Sequence, residues 1–278
     1  MIATPQTAAI ENTSRLFAPT TIRRGEVSTH AELSQVSRIV YAVPSERVRR
    51  LLPASFDTDD SVRPGREHSL ISVTSFLDLG SRTSGQDAFE QTSYRLHVTR
   101  AGKPVSWLLG ASVGSLSAIA TRRMWHSPWH LGAMEFHALY NPAAGRYQEY
   151  QLRTQSQWAN ALWTIADTGE LLEVEGDPSL LRAVQASEMT DYFTRRDGST
   201  GAQRVRIHND GRPRFTRGRL LAARCDLLER LGLLSRGELM QPASIAMRHS
   251  MSCTFDTPRS DSRSIPRLYA ASRSSASH

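Results

Sequence analysis

The chain is almost devoid of lysine: Lys103 is the only one among the 34 Lys and Arg residues of a 278-residue sequence. Chemistry that requires a buried lysine nucleophile therefore has one candidate, and Lys103 stands between Gly102 and Pro104, in the composition of a solvated turn. Cysteine is nearly as scarce. Cys225 and Cys253 give no disulfide framework and no metal-ligand spacing, which suits a reducing compartment. No apolar run reaches the ~18 residues of a membrane helix; the longest candidate, Val105 to Ala120, is interrupted by glycines and serines. The first residues, MIATPQTAAIENTS, lack the charged start and apolar centre of a secretory signal, so a cytoplasmic location is expected. Ser106, Ser112, Ser115 and Ser117 are not read as a nucleophile elbow, which disfavours a serine hydrolase, and no glycine loop that cradles phosphate is found.

The formal charge is +7, with an apolar content of 39%. That apolar fraction suffices for a sizeable core. The arginines are spread along the chain, as codon bias would spread them, so nucleic-acid binding is a minority reading that rests on the cluster from Arg195 to Arg224.

Three segments follow from the patterning: a mobile leader over 1–34, a single domain over 35–258, and a disordered Ser/Arg-rich tail over 259–278. Val36, Ile39, Val40 and Tyr41 predict a strand, followed by a short helix with Ser45 as N-cap, its inward face on Val48, Leu51 and Leu52, and Pro53 as its stop. Ser69 to Leu77 predicts a second strand. Phe89 to Thr99 alternates strictly, with Thr92, Tyr94, Leu96 and Val98 on one face and Gln91, Ser93, Arg95 and His97 on the other. The polar face either meets solvent or, in a closed barrel, lines a wet interior where Arg95 and His97 become ligand contacts. A turn about Gly102 leads to a strand at Trp107, Leu108 and Leu109. A helix is expected from Ser112 to Met124, strands over Leu131 to Phe136 and Arg146 to Thr154, a helix capped by Ser187, an amphipathic helix from Gly218 to Leu234, and a last strand from Ala243 to Phe255.

The segment Trp125-His126-Ser127-Pro128-Trp129-His130 packs two indoles and two imidazoles around a proline and reads as a pocket wall. His126 or His130, oriented by Glu135, could act as acid or base, or simply line the pocket. Pro128 keeps the two histidines off a common helical face, so no metal site is expected. Trp125 and Trp129 pack in a core or stack on a ligand. Arg122 and Arg123 point about 100° apart on a helix, so one of them faces inward.

Taken together, these residues resemble the YqjF-like uncharacterised conserved proteins, a branch of the acetoacetate-decarboxylase-like superfamily. The resemblance runs over about residues 35–258. It rests on Val43-Pro44 with Val48, Leu51, Leu52 and Pro53, on Gly102 and Pro104, on Arg122, and on Pro128-Trp129 with Met134. It continues through Glu188 to Arg196 as a helix, Val205 to His208, the helix ending Leu231-Gly232-Leu233, and Pro242. The resemblance implies an α+β fold: an acetoacetate-decarboxylase-like closed antiparallel β-barrel of double-cone type, with peripheral helices and an internal small-molecule pocket. It favours Arg122 as the inward arginine, and of the family's polar strand pattern only Arg95 survives, a bidentate carboxylate anchor. Trp129 and His130 stand where the decarboxylases carry two lysines, so imine chemistry is lost. The expected function is binding of, or action on, a small carbonyl or carboxylate metabolite. An enzyme would be a lysine-independent lyase or isomerase needing no cofactor, with Arg95, His97, Arg122, Trp125 and Trp129 binding substrate and His126, His130 and Glu135 moving protons. The alternative is a non-catalytic ligand-binding or scaffold protein; membrane association is not expected, and a homo-oligomer stays open.

Overall fold

A computed structural model describes residues 26–59, 67–80, 88–123, 127–173, 178–185, 188–195, 197–208 and 215–258. The strands in chain order are β1 (Glu26–Pro44), β2 (Asp57–Thr58), β3 (His68–Asp78), β4 (Phe89–Arg100), β5 (Lys103–Val113), β6 (Trp129–Leu131), β7 (Ala133–Asn141), β8 (Arg146–Gln155), β9 (Ala161–Leu171), β10 (Glu188–Thr194), β11 (Thr200–His208), β12 (Thr216–Cys225) and β13 (Ser244–Pro258). Four short α-helices accompany them among the described residues: α1 (Ser45–Arg49), α2 (Leu116–Arg123), α3 (Pro178–Gln185) and α4 (Asp226–Arg230). None of the described helices is long and apolar enough to cross a membrane.

The strand path β1-β3-β4-β5-β10-β11-β13 closes on itself because β13 also pairs with β1, from Glu26↔Pro258 to Val40↔Ser244. The result is a seven-stranded barrel without a free edge. It is mixed, since β10 runs parallel to β5 while the other closing pairs are antiparallel. The turn from β4 to β5 shows how local residues set this register. Ala101 (φ 49°) and Gly102 (φ 71°) both adopt positive φ, the two-residue hairpin turn whose twist matches the flanking strands.

A second sheet, β12-β9-β8-β7, branches from β13 where Thr216 and Arg217 pair with Met247 and Ala246. Its inner face lies on the outside of the barrel. Tyr147, Tyr150, Leu152, Trp163, Ile165 and Leu220 pack there against Ile39, Tyr41, Val73, Tyr94, Leu96 and Val98 in the main core. Each large apolar side chain buried in this way contributes about 1.5–3 kcal/mol. The barrel mouths are closed by helices. Ala183 and Val184 of α3 pack on Val40 and Leu70 at one end; Ala118 and Ile119 of α2, with Trp129 of β6, cover Phe89, Ala111 and Val113 at the other.

Several elements differ from the sequence reading. Strand β1 begins at Glu26 rather than near Gln35; a bulge between Ser34 and Ser37, with Gln35 at φ 53°, hides the register that joins its two halves. Residues 1–25 of the leader and the tail over 259–278 lie outside the described residues. The helix expected from Ser112 starts only at Leu116, because Ser112 and Val113 still pair in β5. The expected helix from Gly218 to Leu234 is strand β12 followed by the five residues of α4. A bulge between Leu220 and Ala222 leaves Leu220, Ala223 and Cys225 on the inner face, and this irregular spacing imitates helical periodicity. The helix expected after Ser187 is strand β10, where a buried aspartate interrupts the apolar alternation of Met189 and Phe193.

Candidate functional site

Both faces of β4 are buried. Tyr94, Leu96 and Val98 join the core between the sheets, so Gln91, Ser93, Arg95 and His97 point into the barrel. Cross-strand pairing extends the polar belt: Arg95 lies opposite Ser72, Ser93 opposite Thr74, and His97 opposite Ser106. A buried charge needs partners, and Arg95 has them. Its Nε donates to both carboxylate oxygens of Asp191 on β10, at 3.0 and 3.1 Å, and its Nη1 donates to Ser93 Oγ. The hydroxyl of Ser106 donates to Asp191 Oδ1 as well.

Arg38 enters the same interior from β1. Its Nη1 donates to the carbonyls of Ala183 (3.1 Å) and Val184 (2.8 Å), using the negative end of α3. Burial, with Arg95 close by, lowers its pKa to about 10, which leaves it cationic near neutral pH. His97 sits 3.0 Å from Ser72 Oγ. Burial, then the charges of Arg38 and Arg95, push its pKa down to about 3, so its imidazole is neutral. Beside this cluster the described residues place two guanidiniums, Arg38 and Arg95, against one carboxylate, Asp191, with the α3 carbonyls offsetting part of the excess; Asp78, also buried on the inward face of β3, lies further along the barrel, opposite Phe89. At the rim, Asp59 is paired with Arg182 at 3.0 Å.

Beside Arg38 and Arg95 lies a cavity of about 30 Å³, completed by apolar side chains such as Phe76, Met189, Val205 and Met251. Six of the seven barrel strands contribute to its wall. The free space suits a group of a few heavy atoms; a longer ligand requires the two methionines to change rotamer, which their unbranched chains allow. Arg95 Nη2 makes no hydrogen bond among the described residues, and this leaves one edge of the guanidinium for a ligand.

The structure brings Arg95 and His97 together and places Trp129, His130 and Glu135 apart from them. Trp129 packs near Phe89, ring centroids 6.4 Å apart, at the α2 end of the barrel. His130 stacks on Trp158 at 4.2 Å, away from the polar belt. Glu135 is exposed on β7, opposite Arg153. Trp125 and His126 lie outside the described residues, as does the side chain of Arg122, whose backbone belongs to α2. Gly110-Ala111-Ser112-Val113-Gly114 does carry the Gly-x-Ser-x-Gly spacing, but Ser112 is fully buried inside β5, paired with Thr92 and His130. It is not on the exposed strand-to-helix turn that a nucleophile elbow requires.

Sequence reasoning missed Arg38 and Asp191. Arg38 did leave a signal: Val36, Arg38 and Val40 alternate in an apolar strand, which puts the arginine on a buried face. Asp191 left none, since its segment read as a helix. Among the described residues, no group of three or more His, Cys, Asp or Glu side chains could hold a metal ion.

Comparison with known proteins agrees with this architecture. No curated protein matches the sequence. The chain is similar in structure to acetoacetate decarboxylase from Legionella pneumophila, with TM-score 0.54 and 12% identity over 93% of this chain and 96% of that one. It is also similar to the enduracididine biosynthesis enzyme MppR complexed with pyruvate, with TM-score 0.51 and 12% identity over 88% and 91% of the two chains. A third likeness is to an acetoacetate decarboxylase-like enzyme from Sphingomonas wittichii RW1, with TM-score 0.50 and 11% identity over 88% and 95%. At these identities the likeness concerns the fold alone. The model of a family described as an uncharacterized conserved protein, DUF2071, matches residues 30–235, well over half of the sequence. The chain belongs to the DUF2071 family of uncharacterized conserved proteins, built on the acetoacetate-decarboxylase-like barrel.

Proposed function

We propose that this protein binds a small organic monoanion, a carbonyl or carboxylate metabolite, inside the barrel, and does so without imine chemistry. The observation that carries this reading is the charge count beside the cavity: among the described residues Arg38 and Arg95 face one carboxylate, Asp191, and the neutral His97 adds no charge. A ligand carboxylate would balance the count and take the open edge of Arg95 by charge-assisted hydrogen bonds. The pyruvate complex of a protein of the same fold supports the choice of ligand class. Lys103 lies exposed at the start of β5, in the hairpin with β4, away from any such ligand.

A lysine-independent lyase or isomerase is the enzymatic form of this reading. It rests on His97, a neutral imidazole in the same interior that can hydrogen-bond the carbonyl oxygen of a ligand and stabilise the enolate formed from it. Exchange of the methyl protons of pyruvate in heavy water, catalysed by the wild type and lost in His97→Gln, separates an enzyme from a plain binder.

Titration calorimetry with acetate, propionate and pyruvate tests the binding itself. The wild type is expected to bind at least one of them, and Arg38→Met, which removes the excess positive charge and keeps the Arg95–Asp191 pair, is expected to bind none. Equal binding by the two proteins would overturn the proposal.

A further inference from the structure

Strand β7 ends the second sheet, and among the described residues no strand pairs with its outer edge. Such an edge offers a row of unpaired amides and carbonyls to another chain. Its regular part is short and well delimited. Gly132 precedes it, and the register with β8 shifts between Leu139 and Tyr140, so the uninterrupted segment is Ala133 to Leu139, centred on Phe136. Ala133, Glu135, His137 and Leu139 face outward and are exposed; Met134, Phe136 and Ala138 face the core and are only half-buried. A strand added to this edge would cover both sets.

We infer that the strand covering this edge is β7 of a second copy of the chain, paired antiparallel about a two-fold axis through Phe136. In that register all seven residues find partners: Ala133 meets Leu139 of the copy, Met134 meets Ala138, Glu135 meets His137, and Phe136 meets itself. Each pair matches in kind. Leu139, 51% exposed in the single chain, gains an apolar neighbour. The carboxylate of Glu135 meets an imidazole already held at 2.6 Å from Glu149 of its own chain. Moving the axis by one residue either way sets His137 against His137 or Glu135 against Glu135, losing that complementarity and two partners with it. The dimer joins two four-stranded sheets into one of eight strands and leaves both barrel interiors untouched.

Light scattering during size exclusion, with the full-length chain at tens of micromolar, reads the mass directly. The expected species weighs twice the 31.0 kDa of one chain. His137→Asp puts like charges at two symmetric positions on an exposed face and is expected to raise the dissociation constant about tenfold or more. Adding Glu135→Lys to that variant restores the opposite-charge pairs and the dimer. Amide hydrogen exchange across 133–139 is expected to be slow in the dimer and fast in His137→Asp. A monomer at every concentration, or a dimer that His137→Asp leaves intact, would overturn the inference.

Discussion

Arg95 on β4 and Asp191 on β10 form an ion pair inside the barrel, the one Nε–H shared between the two carboxylate oxygens at 3.0 and 3.1 Å, with Asp191 only 1% exposed. These strands do not pair with one another; β5 lies between them. The pair therefore ties two non-adjacent staves across the interior, beside the cavity assigned to the ligand.

Removing one member of this pair is expected to be costly. Asp191→Asn leaves Arg38 and Arg95 without their carboxylate and should lower unfolding stability by about 3–5 kcal/mol, read as a shifted urea midpoint with unchanged slope. The double variant Arg95→Met/Asp191→Leu should recover most of the loss. A small carboxylate should rescue Asp191→Asn more strongly than the wild type, since it supplies the missing charge.

His97 gives the fold an acid sensitivity whose sign follows from its depressed pKa. In the unfolded chain it protonates near the ordinary value of 6.5, and in the barrel only near about 3. Between those values the unfolded state binds more protons, so stability falls as pH is lowered from about 6.5 towards 3. His97→Gln is expected to flatten that part of the pH–stability curve, measured by urea unfolding at pH intervals. An unchanged slope would place the titration elsewhere.

The lone lysine makes a sharp negative prediction. Borohydride treatment in the presence of pyruvate or acetoacetate should add no mass to the barrel strands, and Lys103→Arg should bind ligand as the wild type does. Mass spectrometry of the intact chain and its peptides checks both.

Gly110 marks where the Pro128 segment crosses β5. A Cβ there would stand 2.6 Å from the Trp158 ring and 2.9 Å from the backbone oxygen of Pro128, which accepts from Ala111 N at 3.0 Å. Gly110→Ala should cost about 1–3 kcal/mol in thermal unfolding, as overpacked sites do.

How much of this was legible beforehand depends on the element. The alternation of β4 gave both of its faces, and the barrel alternative for Gln91, Ser93, Arg95 and His97 is the one realised, because β1, β13, β11 and β10 wrap round to enclose that face. Solvent exposure or enclosure of a polar face is a property of closure, and no local pattern encodes it. The segment around Pro128 illustrates the opposite case. Its aromatic density is real, yet Trp129 packs at the barrel end and His130 pairs with Trp158, roles that composition does not distinguish from ligand contact. Asp191 was hidden because a charge required by Arg95 stands where an apolar residue would have revealed the strand.

The central claim is that the ligand site lies inside the barrel at Arg95 and Arg38 rather than beside Trp129 and His130. A crystal soaked in 3-bromopropionate and measured at the bromine edge decides between them. The account predicts a carboxylate within hydrogen-bonding distance of Arg95 Nη2, with the bromine peak among Met189, Val205 and Met251; a bromine found only near Trp129 and His130, or only on the outer surface, would contradict it.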